Sequence, residues 1–276
     1  MPELPEVETI VRDIAPHLEG VTLRDPRLYH PDVLRDTTPR TFLRAVRDQR
    51  VVSVTRRAKH AVLHLASNHR VIIQPRMTGS LVILREAPAG DDRRYAVFVA
   101  KAGRAWFLVR DVRRLGTITL LDEAGWMSYT ARIGPEPLTA DFTAARLAER
   151  LAGTRQAIKK VLMDQARVAG IGNIYANEAL WRAGIDPSLP ADQLDRAAVG
   201  RLHRHVRAIL RAAVRSRGTT VRDYRTGTGQ PGNYQDGLDV YDRAGLPCRR
   251  CGTVLATTHA IDGRQTTFCW RCQGGA

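Results

Sequence analysis

Ile133-Gly134-Pro135-Glu136-Pro137 interrupts the chain near its middle, and the periodicity of the sequence differs on its two sides. Two prolines and a glycine in five residues support no regular element, so the stretch reads as a hinge, taken here as 132–139. Upstream, after one N-terminal helix, residues to about 125 read mostly as strands. The candidates are 51–55, 61–65, 71–74, 80–84, 95–99, 105–109 and 117–121, short and rich in β-branched residues, with turn signals such as Lys101-Ala102-Gly103 between them. Downstream, apolar residues recur at helical spacing. Strands followed by helices predict an α+β protein whose first domain, 1–131, is a β-sandwich or barrel with a flanking helix.

The helical half, 140–236, has its own punctuation. Asp141 is placed to cap a helix reaching Leu151, and a second helix is expected over 155–165. Gly170-Ile171-Gly172-Asn173 then puts Asn173 at the N-cap of a helix that passes Trp181 and stops near Gly184. Within 201–217, Arg204, Arg207, Arg211 and Arg215 share one helical face, and Leu202, Val206, Ile209 and Ala213 take the other. That pattern suits a solvated face as well as a phosphate-facing one. The Gly-rich stretch 218–237 is long for a connection inside a compact domain and is expected to be a binding loop.

All four cysteines lie in the last segment, 237–276, as Cys248-x2-Cys251 and Cys269-x2-Cys272. Paired knuckles of this spacing read as a tetrahedral zinc site with four thiolate ligands, hence one structural ion with no open coordination position. Disulfides or a redox couple are the alternative. The chain as a whole is strongly basic, with 43 Lys+Arg against 28 Asp+Glu and a formal charge of +15. A surplus of this size predicts a polyanionic partner: nucleic acid, ribosome or an acidic membrane surface, with nucleic acid the leading choice. With 43% hydrophobic residues there is enough material for two cores. No apolar run approaches membrane-spanning length and no export signal opens the chain, so an intracellular, non-secreted protein is expected.

Against that basic background the N-terminus, Met-Pro-Glu-Leu-Pro-Glu-Val-Glu, places three glutamates in eight residues. Helix chemistry explains part of this. Pro5 suits a first helical turn, Glu6 and Glu8 favour the positive end of the helix dipole, and Val7, Ile10, Val11 and Ile14 form a buried face. Pro2 and Glu3 are left without a purpose. Two cationic sites also stand out. Arg155, Lys159 and Lys160 precede a helix N-terminus suited to phosphate. Lys59, in Arg56-Arg57-Ala58-Lys59-His60, opens a strand and on its own suits a solubilising edge equally well. The zinc segment adds Arg249, Arg250, Arg264 and Arg271, side chains built to grip phosphate bidentately.

Taken together, these motifs resemble the formamidopyrimidine-DNA glycosylase and endonuclease VIII family over essentially the whole chain. The matching residues are Pro2-Glu3-Leu4-Pro5-Glu6-Val7-Glu8, Arg56-Arg57-Ala58-Lys59, Gly134-Pro135-Glu136-Pro137-Leu138 and Leu162-Met163-Asp164-Gln165. Gly172-Asn173-Ile174-Tyr175-Ala176-Asn177-Glu178, Gly218-Thr219-Thr220, Val240-Tyr241 and the zinc segment with Gly263-Arg264 follow in order. The resemblance implies a two-layer β-sandwich, a helix–two-turns–helix domain and a zinc-finger hairpin on damaged double-stranded DNA, acting as a monomer.

It also implies roles. With Met1 removed, Pro2 presents a secondary amine that titrates near neutrality and attacks C1′ of the damaged nucleotide. Glu3 is then the general acid/base, Glu6 supports the site, and Lys59 holds the neighbouring phosphate. Asn173 and Arg264 grip phosphate, the latter assisting δ-elimination. Met77, Arg113 and Leu115 fill the gap left by the extruded base, and Arg93, Arg155, Lys159 and Tyr241 complete the DNA-facing set. The chain departs from the family at this wedge. It reads Asp111-Val112-Arg113-Arg114-Leu115-Gly116 where the glycosylase usually has Asp-Pro-Arg-Arg-Phe-Gly, and Gln74-Pro75-Arg76 where His-Leu-Gly is usual. Leucine intercalates but stacks less well than phenylalanine.

The expected activity is therefore a bifunctional glycosylase and abasic-site lyase for oxidised purines. An endonuclease VIII-like enzyme for oxidised pyrimidines, a non-catalytic zinc-dependent DNA-binding protein, and a ribosome-associated protein are the rival readings.

Overall fold

The computed structural model describes residues 2–220 and 224–274; Met1, whose removal the Pro2 chemistry requires, and 221–223 of the binding loop lie outside the described residues. The chain divides into two compact units, 1–131 with 216–233, and 132–215 with 234–276.

The first unit opens with α1 (Leu4–Leu18), whose residues Val7, Ile10 and Ile14 are fully buried, as the apolar spacing predicts. Then come β1 (Thr22–Leu28), β2 (Leu34–Arg35), α2 (Pro39–Val46), β3 (Gln49–Arg57), β4 (His60–Leu65), β5 (Arg70–Gln74) and β6 (Gly79–Leu84). After α3 (Gly90–Arg94), β7 (Ala96–Ala102), β8 (Ala105–Asp111), β9 (Thr117–Leu121) and α4 (Glu123–Ala131) complete the unit. The nine strands run in the order β2-β9-β5-β4-β3-β1-β7-β8-β6. The joint between its halves is narrow: β1 meets β3 through two residue pairs only, and a bulge between Arg24 and Arg27 offsets it from β7. Such a joint lets a sheet fold over on itself. Residues of α1, of β3–β5 (Val54, Leu63, Ile73) and of β6–β8 (Leu81, Phe98, Phe107) accordingly share one hydrophobic core.

All seven expected strands are present; β1, β2, α2, α3 and α4 went unread, and two of these are instructive. Residues 22–28 (Thr-Leu-Arg-Asp-Pro-Arg-Leu) carry a proline and three charges, yet form β1 because both neighbours supply hydrogen bonds. Residues 39–46 form a helix inside the strand-rich half; Thr38 accepts the Thr41 N–H and Pro39 occupies the first turn.

In the second unit, α5 (Ala144–Leu151) is capped by Thr143, whose hydroxyl accepts the Arg146 N–H, and not by Asp141. The next helix, α6 (Ile158–Met163), is shorter than the expected 155–165. α7 (Asn173–Ala183) has Gly172 as its N-cap, so Asn173 is the first helical residue, and it ends at Gly184 in the left-handed region (φ 66°). α8 (Arg196–Arg215) buries Leu202, Val206, Ile209 and Ala213, the face read from sequence. The unit closes with β10 (Ala256–Thr258) paired antiparallel to β11 (Thr266–Phe268), and α9 (Trp270–Gln273).

Residues 216–233 group with the first unit, whereas the sequence reading had placed them with the helical segment. The reason is specific: Arg217 pairs with Asp13, and the Thr219 N–H donates to Glu6 Oε1 at 2.8 Å.

Candidate active site and nucleic-acid interface

Pro2, Glu3 and Glu6 are buried at the start of α1, the two carboxylates each 1% exposed. Glu3 is the N-cap, and its backbone N–H donates to Glu6 Oε2 at 2.8 Å. The other oxygen of Glu6 takes the Thr219 N–H, so one carboxylate bridges the first residues of the chain and the 216–233 segment. The Tyr224 hydroxyl donates to the Glu6 carbonyl at 3.2 Å; burial, then the Glu6 charge, push that phenol far above its ordinary value and keep it neutral. Glu8 turns away to a structural task. It pairs with Arg12 at 2.8 Å and with Arg56 at 2.9 Å.

Arg56 also places the turn that carries Lys59. Its Nη1 donates to the Ala58 carbonyl at 2.9 Å while Nε holds Glu8, tying the β3–β4 turn to α1. Ala58 sits in the left-handed region (φ 52°) and Lys59 is 7% exposed. A lysine buried to this extent is not a solubilising edge.

The expected wedge residues lie on two loops that β6–β8 pairing makes neighbours, with Gly79 opposite Asp111. Met77, Val112 and Leu115 are 45%, 48% and 43% exposed, an unusual run of solvent-facing apolar tips. Asp111, 3% exposed, holds both loops: it accepts from the Thr78 hydroxyl, the Arg113 N–H at 3.2 Å and the Gly116 N–H at 2.7 Å. A glycine is needed at 79, where a Cβ would stand 2.3 Å from the Pro75 carbonyl. Arg93, on the short α3, lies 5.0 Å over the Tyr29 ring.

In the second unit, Asn173 and Arg264 come to the same place. The Asn173 side-chain amide donates to the Gln265 carbonyl at 3.1 Å, next to Arg264, which is 57% exposed. Asn177 accepts the Thr267 N–H at 3.0 Å, so α7 carries the zinc hairpin on two asparagines. Arg155 is exposed. Lys159, expected on DNA, is instead fully buried. Its Nζ donates to Thr266 Oγ1 at 2.7 Å and to the Gln265 carbonyl at 3.3 Å, with Asp262 at 3.6 Å, and so it anchors the hairpin. Tyr241 is held through its N–H by Glu178, a wholly buried carboxylate that also accepts from Asp239 and Val240. Glu178 enters the sequence reading only as the last residue of its family motif, with no role read for it, although an acid on a helix burying most of its length was the available signal.

The four cysteines are free thiols whose sulfurs lie within 4.8 Å of one another. Neighbouring Sγ atoms stand 3.4 to 3.9 Å apart. A tetrahedral ion with Zn–S bonds of about 2.3 Å separates its sulfurs by about 3.8 Å, so the cluster fits one zinc ion and leaves no position for substrate.

The formamidopyrimidine-DNA glycosylase N-terminal domain model matches residues 1–118, the corresponding H2TH domain matches 133–225, and the zinc finger found in FPG and IleRS matches 245–274. The chain belongs to the formamidopyrimidine-DNA glycosylase family. The Thermomicrobium roseum formamidopyrimidine-DNA glycosylase is 44% identical over 99% of both chains, and that of Chloroflexus aggregans is 42% identical over 99% of this chain and 98% of its own. A crystal structure of a Lactococcus lactis FPG mutant with Fapy-dG-containing DNA superposes with a TM-score of 0.91 at 30% identity, covering 99% of this chain and 100% of that one. The matched segments contain Pro2, Glu3, Glu6, Lys59, Met77, Arg93, Arg113, Leu115, Arg155, Lys159, Asn173, Arg264 and the four cysteines, while Tyr241 lies between the second and third; zinc is the metal of the matched finger.

Proposed function

We propose that this glycosylase-family chain excises oxidised purines (8-oxoguanine and formamidopyrimidines) from duplex DNA and then cleaves the strand. The observation that supports it most directly is the pair of buried carboxylates, Glu3 and Glu6, immediately behind Pro2. Burying two acids is costly and is not needed to start a helix. The Pro2 nitrogen attacks C1′ as the base departs with its electron pair, and the nitrogen sheds its proton; its lone pair then expels O4′, which takes a proton from Glu3, so the ring opens and C1′ becomes an iminium. The iminium acidifies the 2′ hydrogen; its removal expels the 3′ phosphate, and a second elimination expels the 5′ phosphate. Glu3 exchanges protons with the opened sugar, and Lys59 holds the adjacent phosphate. Met77, Arg113 and Leu115 occupy the vacated stack, while Asn173, Arg155, Tyr241 and Arg264 grip the backbone. Damaged double-stranded DNA is the partner, and one protomer suffices.

Borohydride trapping read by intact mass tests this on duplexes carrying 8-oxoguanine, formamidopyrimidine, 5-hydroxycytosine or no lesion. The expected product is a covalent adduct that lacks Met1 and maps to Pro2, strongest on the purine lesions. A stronger adduct on 5-hydroxycytosine moves the reading to pyrimidines. No adduct from zinc-loaded, DNA-binding protein with a free Pro2 leaves a binding protein.

A further inference from the structure

Both arms of the 216–233 segment converge on one side chain, Asp13 of α1. Arg217 places Nη2 at 2.8 and 3.0 Å from the two carboxylate oxygens of Asp13, which is 9% exposed. Ten residues further on, Gly227 passes so close that a Cβ there would stand 2.6 Å from Asp13 Cβ and 3.1 Å from the Ile10 carbonyl. Arg217 holds the left-handed conformation (φ 62°), which glycine would adopt without strain. The turn itself therefore gains nothing from an arginine; the ion pair does.

The segment has a second seat on the first turn of α1, at Glu6. At Gly218 a Cβ would stand 3.0 Å from Glu6 Oε1, the same oxygen that takes the Thr219 N–H, while Oε2 takes the Glu3 N–H. Asp13 itself lies ten residues beyond Glu3, about 15 Å along the helix, too far to touch a nucleotide at Pro2.

We propose that Asp13 and Arg217 are positioning residues: their ion pair sets how 216–233 sits over α1 and so how that segment engages the damaged base for excision. This rests on the reading of 218–237 as the lesion-binding loop. Excision requires the segment to engage the damaged base. Cleavage at a preformed abasic site, which has no base, does not, so the two steps separate in Arg217 and Asp13 variants.

The test uses the full-length, zinc-loaded protein. Arg217→Gly removes the pair and relaxes the backbone, Asp13→Asn removes one charge at constant shape, and Arg217→Lys restores the cation. Single-turnover excision of 8-oxoguanine is expected to fall about fivefold or more in the first two, and to recover in part with lysine. Cleavage of a preformed abasic site stays at the wild-type rate, and amide exchange in 216–220 and 224–233 rises. Excision that remains at the wild-type rate, or excision and abasic cleavage that fall together, overturns the proposal. If the wild-type protein excises no lesion, the lesion reading fails. The exchange arm still decides whether the pair seats the segment, and unchanged exchange overturns that as well.

Discussion

Lys159 and Arg264 are neighbouring cations around one turn of the zinc hairpin with opposite duties. The amine of Lys159 is fully buried and satisfied by Thr266, Gln265 and Asp262, whereas the guanidinium of Arg264 stands 57% exposed. Removing the buried cation strands an acid and two acceptors. Lys159→Ala is therefore expected to destabilise the second unit by about 3 kcal/mol in chemical denaturation. Arg264→Ala should change stability by less than about 0.5 kcal/mol and keep zinc, while δ-elimination products fall. Loss of zinc in that variant would make Arg264 a structural residue. Leu115 offers a gain-of-contact test at the same scale. Leu115→Phe adds an aromatic face to an exposed wedge and should tighten binding to an abasic-site duplex, by about 1 kcal/mol, in a titration at fixed salt.

In α8 one face packs and the other is charged. Leu202, Val206, Ile209 and Ala213 are buried, and of the opposing arginines only Arg207 is drawn inward, donating to the carbonyls of Pro137, Thr139 and Phe142. The charged face is thus partly a staple for the Gly-Pro-Glu-Pro stretch. His205 shares α8 with Arg201 and Arg204 and also faces Arg182 and Arg250; burial and then these cations hold its pKa below 6.5. A base depressed in the folded state contributes stability that is complete above the unfolded value and is lost as pH falls below it. Thermal stability should therefore decline as pH falls below about 6.5, and His205→Gln should shrink that decline. An undiminished decline would assign it to other groups. At the other end of the unit, Thr143→Ala should cost about 1 kcal/mol in denaturant titrations, since its hydroxyl is the cap of α5.

For the whole molecule, charge and zinc set the terms of binding. A formal charge of +15 predicts that most affinity comes from displaced counterions. Raising salt from about 50 to about 200 mM should weaken duplex binding by about a thousandfold, and a flat salt response would contradict phosphate-dominated binding. The core around the finger is small, consisting of Trp181, Val240, Leu255 and the cysteines, too little to hold the hairpin without the ion. Chelation should therefore abolish DNA binding while the helical circular-dichroism signal of α7 and α8 is largely kept. Among the described residues no helix is long and apolar enough to cross a membrane.

Much of this was legible in the sequence because it depends on local periodicity or on short spacings. The seven strands, the faces of α1 and α8, the stop at Gly184 and the two cysteine knuckles are all of that kind. The Pro2-Glu3 opening was legible through its family motif, since composition alone offered only a helix start. Tertiary structure decided what depends on partners remote in the chain. Residues 22–28 become a strand because two others flank them, and Lys59 is placed by Arg56 reaching Glu8. Lys159 is buried because residues about a hundred positions later close over it, and 216–233 joins the first unit because Asp13 and Glu6 hold it there. Hydrogen bonds and ion pairs across such separations leave no period in the chain, so only the folded coordinates reveal which charge faces water and which is locked inside.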